Sequence, residues 1–148
     1  MPLHPLVVHA VVVLGPLAAV TGLVYAAVPK WRWLLRWPLV VLAVVAAGAS
    51  VLATQSGEAL VESRPELAPI VEEHEESGEL MRNVALGYAV LSALAAWALG
   101  GVSALASGKG ARETRLGIPV AVLLAVGAVA LLVTAYLAGD SGAKSVWG

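Results

Sequence analysis

Four stretches of this chain carry no charged side chain: residues 1–29, 37–56, 83–108 and 116–139. Each reaches the ~20 residues that a helix needs to cross ~30 Å of hydrocarbon. Their apolar residues run without the strict alternation of barrel strands, and a helix is the form that pairs its own backbone in lipid. The pattern predicts four transmembrane helices near residues 6–28, 37–54, 83–106 and 116–138. Pro5, Pro38 and Pro119 lie near the starts of three of them, where a missing N–H does little harm. Pro16 lies inside the first and predicts a bend there. The first stretch has no basic leader and is too long for a cleaved signal, so it reads as a retained helix.

The charges between the spans orient them. Lys30, Arg32 and Arg36 lie between spans one and two, and Lys109, Arg112 and Arg115, with Glu113, between spans three and four. These six basic residues mark the cytoplasmic side. Trp31, Trp33 and Trp37 form an interfacial anchor there. The opposite side receives both termini and a long acidic outer loop, residues 55–82, with eight glutamates against Arg64 and Arg82. The expected fold is therefore all-α: a polytopic, antiparallel four-transmembrane-helix bundle with both ends outside.

Composition agrees with this reading. The 148 residues (15.1 kDa) form a single membrane domain, 59% hydrophobic and 13% charged, against about 25% charged in soluble domains. The absence of cysteine removes disulfides, thiolate metal sites and a cysteine nucleophile. A net charge of −1 gives no basic field for nucleic acid.

In lipid, helices associate through close backbone approach. Small residues four apart mark candidate interfaces: Ala18, Gly22 and Ala26 in span one, Ala46, Ser50 and Thr54 in span two, and Ser92, Ala96, Gly100 and Ala104 in span three. They also make a homodimer conceivable. Ala53-Thr-Gln-Ser-Gly57 at the end of span two echoes Ala138-Gly-Asp-Ser-Gly142 after span four. The echo is too short to establish a duplication.

Candidate chemistry lies at the outer face. His4 and His9 flank the start of span one, His74 precedes span three, Glu58 follows span two and Asp140 follows span four. No ionisable side chain occupies the bilayer centre, which argues against an ion path. Two sites are open. One is a transition-metal site (zinc, copper or iron) drawn from His4, His9, His74, Glu58 and Asp140. The other is a b-type haem with His9 and His74 as axial ligands. His4 and His9, five residues apart, do not share a helix face. In a straight third helix His74 stands roughly 10–20 Å above His9. A break at Ser77-Gly78 would let the segment 69–76, itself a short helix, fold down over the bundle. No phosphate-binding glycine motif or Ser-His-Asp order is present, so a hydrolase is not expected and no reaction is assigned.

The start His4-Pro-Leu-Val-Val-His9, the Thr54-Gln-Ser-Gly-Glu-Ala59 stretch, His74 in Glu-Glu-His-Glu-Glu-Ser-Gly-Glu79 and the Gly-rich ending from Ala138 to Gly148 resemble a bacterial four-span membrane family, domain of unknown function 2231. The resemblance covers the whole chain. It implies a four-span bundle with histidines gathered at one membrane face, suspected of haem or metal binding and redox work. The chain departs from that pattern at Ala10, where many members carry an aromatic residue. It also lacks the terminal histidine that many of them have.

The expected function is a histidine-centred outer-face site that binds haem b or a transition metal for electron transfer or metal handling. His9 and His74 are its expected ligands, and His9→Ala is expected to abolish binding. The lipid bilayer and a redox partner are its expected surroundings. The alternative is a cofactor-free accessory subunit of a larger membrane complex, and a metal permease ranks last.

Overall fold

The computed structural model describes residues 3–99 and 116–148. Four long helices make up nearly all of it: α1 (Leu3–Ala27), α2 (Arg32–Ser63), α3 (Ala68–Ala98) and α4 (Gly117–Trp147). Each contains a stretch long and apolar enough to cross a membrane. The link with Lys109, Arg112 and Arg115, the end of span three to residue 106, and Gly100 and Ala104 of its stripe lie outside the described residues.

Proline sets both described turns. Pro29 has no N–H to continue α1, and one 3-10 turn, Pro29–Trp31, leads into α2. Arg32 folds back over this turn. Its Nε donates to the Tyr25 carbonyl at 2.9 Å and its Nη2 to the Ala26 carbonyl at 3.0 Å, so the cation satisfies the orphan carbonyls at the end of α1. At the other turn, Pro65 pushes Arg64 out of helical geometry (φ −140°, ψ 75°). α2 therefore stops at Ser63, and α3 starts one short turn later with Pro69 in its first turn.

The stretch 55–82, read from sequence as a long loop holding one short helix at 69–76, is thus helix apart from this turn. α3 also runs unbroken through Ser77 and Gly78, so the segment 69–76 does not fold down over the bundle by a break there. The glycine-rich ending is likewise helical, to Trp147.

The helices pack in a ring, each against its two chain neighbours, with α4 closing on α1. α1 and α3 therefore stand on one diagonal. α1 buries Val11, Gly15, Ala18, Gly22 and Tyr25, and α3 buries Met81, Ala85, Tyr88, Ser92 and Ala95. α2 contributes Leu39, Ala43 and Ala46, and α4 contributes Leu124, Ala128 and Leu131. Small residues let the backbones approach, as the stripes through Gly22, Ala46 and Ser92 predict. The closest approach is at Gly22, where a Cβ would lie 1.8 Å from the Tyr88 hydroxyl oxygen. That hydroxyl crosses the diagonal and donates to the Ala18 carbonyl at 2.8 Å. Large apolar side chains such as Val13, Val90, Ile118 and Val126 point outward, the arrangement that lipid rather than water rewards.

Candidate functional site

The end of the bundle away from Arg32 brings two histidines together. The His4 and His74 ring centres lie 6.1 Å apart, with the planes inclined at 76°. They come from α1 and α3, across the diagonal. Their depths match because α3 is straight: His74 stands too high for His9, but His4 is five residues further out, about 7 Å along α1.

Each ring is held in the same way. His4 Nδ1 lies 2.9 Å from the Ala53 carbonyl and 3.1 Å from Ser56 Oγ, and the Ser56 hydroxyl donates to that same carbonyl at 3.0 Å. His74 Nδ1 lies 3.2 Å from the Ala138 carbonyl and 3.4 Å from Ser141 Oγ, and Ser141 donates to Ala138 at 3.2 Å. A carbonyl oxygen can only accept, so Nδ1 carries the proton in both rings. In the neutral form, a ring so held keeps its lone pair on Nε2. Metal-ligating histidines are oriented in this manner, with one ring nitrogen fixed on a backbone carbonyl.

Glycine supplies the room. A Cβ on Gly57 would lie 3.1 Å from His4 Cε1, and one on Gly142 would lie 3.0 Å from His74 Cε1. Both rings therefore lie edge-on against bare helix backbone.

The charge-free stretch of α3 begins beyond Arg82, and His74 lies outside it among Glu72, Glu73, Glu75 and Glu76. Burial lowers its pKa from the ordinary 6.5, and the neighbouring His4 lowers it further, against the raising influence of the Ala138 carbonyl and Glu75. Two facing rings resist being charged together.

The other expected ligands lie apart from this pair. His9 is exposed, and its Nδ1 bonds the Pro5 carbonyl one turn back on its own helix. Glu58 is exposed on α2. Asp140 pairs with Lys144 at 2.8 Å, which raises the Lys144 pKa. Among the described residues, no three His, Asp or Glu side chains gather closely enough to hold a metal ion. The donor set at the bundle end is therefore two imidazoles. Rings sharing one ion through bonds of about 2.0–2.1 Å sit roughly 5–6.5 Å apart centre to centre, and this pair falls in that range. A porphyrin finds the same two donors.

Sequence reasoning had His4 and His74 in one candidate metal set and saw the Ser-Gly echo, but it paired His74 with His9 for haem and gave the Ser-Gly stretches no part in holding the rings. A signal was present. Stepping back by sevens along the α1 core face from Tyr25 passes Ala18 and Val11 and reaches His4. The same steps on α3 run from Ala95 through Tyr88 and Met81 to His74.

A family model described as "Predicted membrane protein (DUF2231)" matches residues 1–148. No curated protein matches the chain, and no solved structure matches it.

Proposed function

The chain belongs to the DUF2231 family of predicted membrane proteins, and from that premise we propose that it is a small metal-binding protein of the bacterial inner membrane, holding one transition-metal ion between His4 and His74 at the outer face. The observation that supports this reading is the ring pair itself, 6.1 Å apart with each Nδ1 on a carbonyl. Both Nε2 lone pairs are left to a borderline ion such as zinc, copper(II) or iron. Two protein donors leave coordination positions for water, a transported ligand or a partner's side chain, which suits metal handling or electron transfer. Haem b is the second reading, because its ring nitrogens need only two axial partners from the protein.

The test is protein purified in mild detergent, analysed for metals and by visible spectra before and after dithionite. One zinc, copper or iron per chain, lost in His4→Gln and in His74→Gln but kept in His9→Ala, is the expected result. A Soret band with sharp reduced bands moves the assignment to haem. Folded protein with neither metal nor haem overturns both and leaves the cofactor-free accessory subunit.

A further inference from the structure

We infer that the chain is an internally duplicated pair of helical hairpins and that its site is two-fold, each hairpin supplying one histidine and one matched positioning pair, Ser56–Gly57 or Ser141–Gly142. The ligand class follows, and in this respect the inference rests on the metal reading: one ion per chain, on the axis that relates the hairpins, with equivalent imidazole donors.

Three features carry it. The first is register. A shift of 70 residues takes His4 onto His74, and it also takes Val11, Gly15, Ala18, Gly22 and Tyr25 onto Met81, Ala85, Tyr88, Ser92 and Ala95, every one buried. A shift of 85 takes Ala53, Ser56 and Gly57 onto Ala138, Ser141 and Gly142, and Leu39, Ala43 and Ala46 onto Leu124, Ala128 and Leu131, again buried. The second is hydrogen bonding. Each histidine, serine hydroxyl and alanine carbonyl form the same triangle within one hairpin, and no bond of either triangle crosses between hairpins. The third is the cradle. Gly57 and Gly142 would both place a Cβ against the Cε1 edge of their own histidine, at 3.1 and 3.0 Å. Chance small-residue patterning makes stripes, but it does not reproduce a three-residue hydrogen-bonded motif in the same relation to the same core positions. Both hairpins also run in the same direction, so the axis relating them lies along the bundle, and His4 and His74 meet across it.

The serines and glycines act through the histidines, by fixing Nδ1 as the donor and setting the ring position. The experiment combines two readouts on the full-length chain in detergent. The first is 15N NMR of the histidine rings above their titration range, without metal. The second is titration with cobalt(II), followed in the visible. The variants are Gly57→Ala and Gly142→Ala, with Ser56→Ala and Ser141→Ala as the milder pair.

Both His4 and His74 are expected as Nδ1–H tautomers. Each variant is expected to shift the signals of its own hairpin's histidine. Matched variants are expected to weaken cobalt binding alike, by about ten- to a hundredfold, as outer-shell changes do. An Nε2–H tautomer at either histidine overturns the inference, and so does a cradle whose variants leave cobalt affinity unchanged while its counterpart's abolish it. Wild-type protein that binds no cobalt, but shows both tautomers and the paired shifts, removes the ion and upholds the duplicated half-sites.

Discussion

Two contacts at the residue scale carry measurable weight. Gly22 is open backbone where the Tyr88 hydroxyl passes to the Ala18 carbonyl. Gly22→Ala inserts a methyl where no space exists, and overpacking of this kind costs about 1–3 kcal/mol. Thermal unfolding in detergent should show a lowered Tm. Adding Tyr88→Phe should recover part of the loss, because the hydroxyl is the atom in the way; two fully additive losses would contradict that contact. The second contact is the histidine pair. Folding lowers the His74 pKa, so below 6.5 the unfolded chain takes up the proton first. The stability tied to neutral His74 is fully present above pH 6.5 and falls away as the pH drops toward the lowered folded-state value. Tm should decline with acidification across that window, and His74→Gln should flatten the slope. An unchanged slope would mean that the ring is not desolvated by its neighbours. The sequence announces three histidines but not which of them share a face. His4 and His9 differ by five residues, about 140° around α1, and only the core register running back from Tyr25 selects His4.

At the element scale, the spans were legible because charge is costly in hydrocarbon, so its absence over some twenty residues has few explanations. The stretch 55–82 was not legible for the converse reason. Segment 69–76 does read as a short helix, with Ile70, Val71 and His74 on one face, but the glutamate-rich sequence around it has no sustained apolar periodicity, and polar sequence without periodicity reads as loop. Gly78, beside Ser77, strengthened that impression. In the structure it is a helix-interior residue whose added Cβ would meet only Thr54 Cγ2, at 3.9 Å. Gly78→Ala should therefore stabilise the protein by about 0.5–1 kcal/mol through helix propensity. Slower amide exchange across residues 72–82 would accompany the gain. A neutral or destabilising result would mean that the segment is not continuous helix.

For the whole molecule, the ring of four helices places the start of α1 and the end of α4 at the histidine end, and the basic turn with Trp31 and Trp33 at the other. The positive-inside rule predicts from this that both ends face outward and the basic turn faces the cytoplasm. A reporter that is active only outside the cytoplasm, fused after Gly148, should be active; an inactive fusion would turn the bundle over and make its site cytoplasmic. The echo of the two cradles, three identities in five residues, carried too little information to reveal a repeat, because most core positions of the hairpins hold different side chains in the same places. One of these differences has a further consequence. Tyr88 occupies in the second hairpin the position that Ala18 occupies in the first, and it needs Gly22 opposite it. Two second hairpins brought face to face would set Tyr88 against Ser92 where glycine is required, and two first hairpins would set Tyr25 where the second hairpin supplies only Ala95. The halves have become a matched plug and socket. Each can be exchanged between chains only for its own kind, which permits domain swapping and forbids self-pairing.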